Sequence, residues 1–166
     1  MVMNAYRQDI LDWLGGDDWE GWYAVTLTLN SSLPDASGNP VRITEQSASR
    51  SFRHFLNVTN KRHFGNAARR YNKRCEVIPT FEYGNAGGNL HYHAFIKKPD
   101  HVPDWLFQCR LRGDWFATEW GWLSVNIQKN TDSGWLDYIT KDTRGNTGNP
   151  DWDFENVDYQ NIWFAG

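Results

Sequence analysis

Two of the five histidines in this chain of 166 residues stand two positions apart in an apolar run, Asn-Leu-His-Tyr-His-Ala-Phe-Ile, at residues 89–96. Side chains alternate between the two faces of a β-strand, so His91 and His93 share one face while Tyr92 and Ala94 share the other. The face of Tyr92 and Ala94 is predicted to belong to the core. The two imidazoles would then lie side by side, either making ordinary hydrogen bonds or binding a divalent metal ion between them.

A carboxylate is predicted beside the two histidines. The stretches 75–82 and 90–97 flank a glycine-rich turn, and pairing across that turn places Glu82 opposite His91 on the same face. Two imidazoles and one carboxylate suit Mn²⁺ or Mg²⁺ with positions left for a substrate oxygen, although imidazole also tolerates Zn²⁺ or Co²⁺. Glu76 is farther from the turn and is the weaker candidate. The alternative for Glu82 is an exposed strand carboxylate.

A second group of reactive residues lies downstream, in the segment Trp-Leu-Asp-Tyr-Ile-Thr-Lys at 135–141. On a helix, Trp135, Tyr138 and Lys141 follow one another at three-residue steps along one face. A phenol with a pKa near 10 becomes a useful nucleophile only when its target is polarised and its anion is stabilised. A metal ion and a nearby ammonium would do both, although a packing tyrosine beside a lysine is the simpler interpretation.

The charge of the chain is unevenly distributed. Its net charge is −3, yet residues 46–74 contain no Asp or Glu. A segment of one sign favours a surface that follows the phosphates of nucleic acid. The basic residues predicted to bind nucleic acid, which the resemblance described below makes DNA, are Arg50, Arg53, Lys61, Arg62, Arg69, Arg70, Lys73 and Arg74.

The elements that must position these residues form an α+β pattern in a single domain, residues 1–166, with a mostly antiparallel sheet of about five strands and helices largely on one face. A polar loop is predicted at 30–40, and core spacing in the second long helix falls on Trp105, Leu106, Cys109, Phe116 and Trp120. Residues 143–166 are expected to be an irregular tail. The predicted strands are 22–29, 75–82, 90–97 and 122–128, and the predicted helices are 4–14, 46–64, one from Pro103, and one from Asp132 or Ser133 to about 142.

The composition also indicates where the protein works. Cys75 and Cys109 are far apart and lack metal-ligand spacing, and no apolar run is long enough to span a membrane. Charged residues in the first fourteen positions are not typical of a signal peptide. We therefore expect a cytoplasmic protein with no membrane partner.

Three short motifs together resemble the HUH endonuclease superfamily. They are the strand Ala24-Val-Thr-Leu-Thr-Leu29, the pair His91-Tyr92-His93, and Tyr138-Ile-Thr-Lys141, in the order of that family over residues 22–141. The branch they resemble is that of single-tyrosine rolling-circle replication initiators (Rep proteins) of plasmids and single-stranded DNA viruses or phages. No second tyrosine lies one helical turn from Tyr138, and no Gly-x-x-x-x-Gly-Lys-Ser/Thr sequence of a helicase domain is present.

The resemblance implies a function for each motif. His91, His93 and Glu82 would hold Mn²⁺ or Mg²⁺, Tyr138 would be the nucleophile, and Lys141 would position or neutralise the phosphate. The reaction implied is the nicking and joining of single-stranded DNA through a 5′-phosphotyrosine, which begins rolling-circle replication. The implied partners are single-stranded DNA at an origin of replication, expected as a stem-loop, and host replication proteins. The implied location is the cytoplasm of a bacterial or archaeal host, or the nucleus if the host is eukaryotic.

Other functions use similar residues. A transposase of the same superfamily joins single-stranded ends with the same machinery, and Lys141 one turn after Tyr138 mildly favours an initiator. A non-catalytic module would bind single-stranded nucleic acid while its histidines were incidental. A metal oxygenase with a double-stranded β-helix also uses His-x-His, but Ile96 and Lys97 stand where its acid should follow.

Overall fold

Residues 19–82, 90–129, 151–153 and 155–157 are described by this computed structural model, together with Asp12, Asp132, Gly134 and Trp135. In chain order, the elements are β1 (Trp22–Leu29), β2 (Ser32–Pro34), β3 (Pro40–Arg42), α1 (Glu45–Phe64), α2 (Asn66–Arg70), β4 (Val77–Glu82), β5 (His91–Lys97), α3 (Asp104–Phe116), β6 (Gly121–Lys129) and β7 (Asp151–Trp152).

The main sheet has five strands in the spatial order β6-β1-β5-β4-β7, and each neighbouring pair is antiparallel. Strand β5 is therefore central, with Thr26 of β1 on one side of His93 and Thr80 of β4 on the other. The predicted α+β class, with an antiparallel sheet, is confirmed. The predicted bounds of β1 are the observed ones, and those of α1, β4, β5 and β6 differ by at most two residues.

The core lies between one face of this sheet and the helices α1 and α3. Phe52 of α1 stacks on Tyr92 of β5 with ring centroids 4.3 Å apart, and Phe107 of α3 meets Tyr23 of β1 at 5.2 Å. Trp115 of α3 is fully buried and donates a hydrogen bond from its indole nitrogen to a carbonyl of β1. In the part of the chain that the structure describes, both long helices cover the face of Tyr92, as predicted.

Local signals set the ends of the helices. Helix α1 begins at a capping box, in which the Thr44 side chain accepts from the backbone of Ser47 and the Ser47 side chain accepts from the backbone of Thr44. It ends at Gly65, whose φ of 54° separates α1 from α2. After α3, Gly121 allows β6 to begin close to the helix, since a Cβ there would lie 2.1 Å from the Trp115 carbonyl oxygen.

The buried face of α3 differs from the prediction. Its buried residues are Phe107, Leu111, Asp114 and Trp115, whereas Trp105, Cys109 and Phe116 are exposed. Only Leu106, partly buried, and Trp120, beyond the end of the helix, contribute to the core as predicted. Apolar residues occur all round this helix, so their spacing could not define which side faces the sheet.

Two predicted irregular segments contain strands. The polar loop at 30–40 includes most of the hairpin β2-β3, whose turn is held by Asp35 Oδ1 accepting from the backbone of Ser37 and Asn39. In the predicted irregular tail, β7 pairs with β4, and this pairing begins just after Pro79, which cannot donate to a ladder. The predicted helix 4–14, the turn 83–89 and most of the helix to 142 lie outside the described residues.

No helix among the described residues is both long and apolar enough to cross a membrane.

Candidate metal centre

His91 and His93 lie on the face of the central strand that is turned away from α1 and α3. The buried Tyr92 between them points to the opposite face, where it stacks on Phe52. The ring centroids of the two histidines are 6.4 Å apart at an interplanar angle of 24°. The prediction that they share one face is therefore confirmed.

Glu82 pairs with His91 across the β4–β5 ladder, as the sequence predicts. Its carboxylate also reaches diagonally along the same face, where Oε2 contacts Nε2 of His93. The two histidines and Glu82 are thus brought to one end of the sheet. The three side chains therefore share one face of the sheet, as predicted, and the contact between Glu82 and His93 is an addition to the predicted pairing of Glu82 with His91.

Thr26 holds the other nitrogen of His93. It lies opposite His93 on β1, and its Oγ1 is hydrogen-bonded to His93 Nδ1 at 3.0 Å. This bond fixes the orientation of the imidazole and leaves Nε2 directed at Glu82. Sequence reasoning did not identify Thr26. The alternation along β1 placed Thr26 and Thr28 on one face, but no sequence signal showed that β1 is the neighbour of β5.

The donor chemistry fits a divalent metal. The site offers two imidazoles and one carboxylate, and a metal-binding histidine typically has its second nitrogen hydrogen-bonded, as His93 has. His93 is only 4% exposed, whereas His91 and Glu82 are half-buried, so the site opens to solvent at the end of the strands. Among the described residues, no three side chains form a ready-made metal-ligand cluster, and Glu82 Oε2 contacts His93 Nε2 directly. A metal would have to enter between them.

Aromatic rings bound the site on its other sides. Trp135 packs edge-on against His93, with centroids 5.5 Å apart. Farther along the same face, Trp19 stacks on Phe95 at 5.3 Å, and Trp22 meets that ring edge-on. The site therefore lies at one end of this face, with aromatic rings at its side and farther along the strands.

The segment predicted to carry the nucleophile begins next to this site. Gly134 and Trp135 are helical, and Asp132 Oδ1 accepts a hydrogen bond from the backbone nitrogen of Gly134 at 2.8 Å, as expected before a helix. Tyr138 and Lys141 lie outside the described residues. Their roles stay predictions, supported by the contact that Trp135 makes with His93.

The eight predicted DNA-binding cations do not form one uniform surface. Arg62 is bound to Asp114 of α3, with Nη2 2.8 Å from Oδ1, and Arg53 donates to the carbonyl oxygen of Glu155. Arg50 lines a shallow pocket with His54 and Glu119. Arg70 is exposed at the end of α2. The other four, Lys61, Arg69, Lys73 and Arg74, line a single pocket.

Comparisons with protein-family models, with curated proteins and with solved structures gave no match for this chain.

Proposed function

We propose that this protein nicks and joins single-stranded DNA by transesterification at the candidate metal centre. The observation that carries the proposal is the arrangement around His93 on the central strand. Its Nδ1 is held by Thr26, its Nε2 meets Glu82, and His91 lies beside it on the same face. These are the donor types that the motif resemblance assigns to the metal site.

Each residue has a defined part in this proposal. His91, His93 and Glu82 would hold Mn²⁺ or Mg²⁺, which supplies charge stabilisation to a phosphate oxygen when it is bound. With a metal bound, a hydrogen bond donated by His93 Nδ1–H to Thr26 Oγ1 would leave the lone pair of Nε2 facing the site. The half-exposed His91 and Glu82 leave a path for a flexible strand to approach.

Tyr138 is the proposed nucleophile. A helix that begins at Gly134 and continues as the sequence predicts would place position 138 on the face of Trp135, which contacts His93. The phenolic oxygen forms a bond to phosphorus while the bond from phosphorus to the 3′ oxygen breaks. The phenol loses one proton and the leaving oxygen gains one, so the products are a 5′-phosphotyrosine and a free 3′-OH.

Lys141 would place a positive charge one turn beyond Tyr138, close to the phosphate. Because the phosphodiester is exchanged for a phosphotyrosine bond, a 3′-OH can attack in the reverse direction and restore the strand without ATP. This reversibility serves the initiation of rolling-circle replication, which is the biological function we propose. It would also serve a single-strand transposase, which shares the chemistry and differs in the DNA ends it joins.

The proposal is tested by incubating the protein with single-stranded oligonucleotides and Mn²⁺ and then resolving the mixture on a denaturing gel. We expect a protein–DNA adduct that survives denaturation, is absent in EDTA, and is absent with duplex DNA of the same sequence. The variant His91→Ala/His93→Ala is expected to form no adduct while remaining folded by circular dichroism. Adduct formation by that double variant at the rate of the unmodified protein would rule out the metal centre.

A non-catalytic single-strand-binding module remains the candidate from another class, and one observation favours it. The pocket of four cations lies on the helix side of the sheet and needs neither histidine to bind DNA. That function predicts tight binding in EDTA with no covalent product under any condition. The denaturing gel therefore separates the two functions.

A further inference from the structure

An open basic pocket of about 650 Å³ lies where α1 ends and the chain folds back through α2 towards β4. None of the described residues that line it is acidic. Cations that converge without a carboxylate repel one another, and a bound anion relieves that repulsion. The pocket is lined chiefly by Lys61, Arg69, Lys73, Arg74, Asn57 and Asn60.

The return of the chain beside α1 is fixed by side chains. Asn72 adopts a φ of 52°, which reverses the backbone after α2, and its Oδ1 accepts from Arg74 Nε at 2.6 Å. Arg74 Nη1 also reaches Asn57 of α1 at 3.5 Å. Asn60, only 4% exposed, accepts from the backbone nitrogen of Cys75 at 2.8 Å. The pocket is therefore a built feature, not a chance gap between mobile side chains.

The cations of this pocket differ from others nearby in their partners. Arg62, one residue after Lys61, is neutralised by the buried Asp114. By contrast, no carboxylate among the described residues forms an ion pair with Lys61, Arg69 or Lys73, and all three side chains are exposed. These three charges are available to an external anion.

An exposed aromatic residue occurs in the chain segment that lines the pocket. Tyr71 is 75% exposed, and it lies between the pocket residues Arg69 and Lys73 in the chain. Its backbone nitrogen is bonded to the carbonyl of Ala67 at 3.0 Å, which fixes its position at the end of α2. A ring next to a phosphate site suits the stacking of an unpaired base, which a duplex does not offer.

The pocket is on the other side of the sheet from the candidate metal centre. Helix α1 packs on the Tyr92 face through Phe52, whereas His91 and His93 project from the opposite face. The sheet and the helix layer packed on it lie between the two sites. A nucleotide at the histidines therefore cannot also place its own phosphate in the pocket.

We propose that this pocket is a second DNA-binding site, which takes a backbone phosphate of a single-stranded segment remote from the cleaved bond and stacks an adjacent base on Tyr71. The choice of DNA as the ligand rests on the proposed function. The pocket would hold the DNA on the far side of the sheet while the scissile phosphate is exchanged at the histidines.

The test is fluorescence anisotropy with a labelled oligothymidine, in EDTA and over a range of NaCl concentrations, using the full chain. Arg69→Ser/Lys73→Ser should weaken binding at least tenfold and reduce the slope of log K against log salt by about 1.4, for two lost phosphate contacts. The matched control Arg42→Ser/Arg112→Ser removes the same charge from exposed positions outside the pocket and should leave the slope nearly unchanged. An equal loss of affinity and of slope in the two double variants would contradict the assignment of the pocket as a DNA-binding site.

A second pair of variants tests the base contact. Tyr71→Ala should weaken binding of the single strand about tenfold, whereas Tyr71→Phe keeps the ring and should bind as the unmodified protein does. Binding of duplex DNA of the same length should be unaffected by either substitution. Tighter binding of duplex, with the same dependence on Arg69 and Lys73, would overturn the single-strand assignment, and so would an unaffected Tyr71→Ala.

Inorganic phosphate distinguishes a site for DNA from a site for the free ion. It should compete weakly with the oligonucleotide, and stoichiometric displacement at low concentration would overturn the DNA assignment. All these measurements are made without divalent metal, so they do not depend on cleavage. If the protein binds DNA through the pocket but forms no adduct with Mn²⁺, only the proposed function is contradicted. If it forms the adduct but does not bind DNA through the pocket, only this inference is contradicted.

Discussion

His93 is the residue on which the candidate centre is organised. It is nearly fully buried, and its two ring nitrogens face Thr26 Oγ1 and Glu82 Oε2 from the two neighbouring strands. A buried imidazole held from both sides has a single orientation. The centre is therefore preorganised at His93, while His91 and Glu82 remain open to solvent.

The hydrogen bond between Thr26 and His93 is expected to contribute to metal affinity. Thr26→Val keeps the shape of the side chain and removes the partner of His93 Nδ1, so the imidazole loses its fixed orientation. Affinity for Mn²⁺, measured by titration calorimetry, should fall by about tenfold.

Thr80→Val is the matched control for that measurement. Thr80 lies on the other side of His93, but its hydroxyl donates to the His93 carbonyl oxygen and forms no hydrogen bond with the ring. Its variant should keep the affinity of the unmodified protein for Mn²⁺. Equal affinities in Thr26→Val and Thr80→Val would show that the bond to Nδ1 plays no part in metal binding.

At the scale of the elements, α1 and α3 are joined through a buried carboxylate. Asp114 of α3 accepts from Arg62 Nε at 2.9 Å and from Thr59 Oγ1 at 3.2 Å, both on α1. The carboxylate is only 2% exposed, whereas the Arg62 side chain is 48% exposed. Arg62 thus serves the packing of the helices, and its charge is compensated within the protein.

Substitution of Arg62 is expected to lower stability, whereas substitution of its neighbour Lys61 is expected to weaken the salt dependence of DNA binding. Arg62→Ala leaves Asp114 without its cation and should lower the free energy of unfolding by about 2 kcal/mol, after allowance for the solvent exposure of the guanidinium. Lys61→Ala should change that stability by less than about 0.5 kcal/mol but reduce the salt dependence of DNA binding. Urea titration and anisotropy measure the two effects. The ranking would be contradicted if Lys61→Ala were the less stable variant.

The same interface contains a histidine whose titration affects stability. Burial lowers the pKa of His63 to about 4, and the nearby Arg110 guanidinium, 3.2 Å from Nδ1, acts in the same direction against a smaller opposing effect of Asp114. An unfolded chain takes up this proton near pH 6.5, whereas the folded protein resists it down to about 4. The contribution of His63 is therefore complete above pH 6.5 and is lost as the pH falls towards 4.

We expect this loss to reach about 3 kcal/mol and to be absent from His63→Leu. Urea unfolding of both proteins between pH 4 and pH 7 measures it, because the difference in slope isolates this group from the carboxylates that titrate in both. Parallel stability curves for the two proteins would contradict the assignment of a depressed pKa to His63.

At the scale of the whole molecule, sequence patterns predicted the sheet and the shared face of the two histidines but not the order of the strands. Alternation along 90–97 separated His91 and His93 from Tyr92, and the glycine-rich turn set the register of Glu82 against His91. Strands β1 and β5 are neighbours in the sheet, and this pairing places Thr26 beside His93. Because the two strands are far apart in sequence, no local pattern predicts that they pair.

The charge pattern predicted a basic surface, but it did not show which of the cations are compensated within the protein. Whether a cation is compensated depends on residues that only the fold brings near, such as Asp114 beside Arg62 and Glu155 beside Arg53. Apolar residues also lie all round α3, so its buried face depends on contacts that the sequence pattern does not show. What the sequence could not supply were contacts between distant elements, and those contacts separate the face of the candidate metal centre from the basic pocket.

The central claim is that Tyr138 becomes covalently attached to DNA. The most direct test is peptide mapping by mass spectrometry of the protein after reaction with a single-stranded oligonucleotide and Mn²⁺, beside the variant Tyr138→Phe. That substitution removes only the phenolic oxygen, so folding and DNA affinity should be unchanged. We predict a nucleotide on the peptide that contains Tyr138 and no adduct in Tyr138→Phe. A nucleotide on any of the other six tyrosines, or undiminished adduct in the variant, would contradict the account.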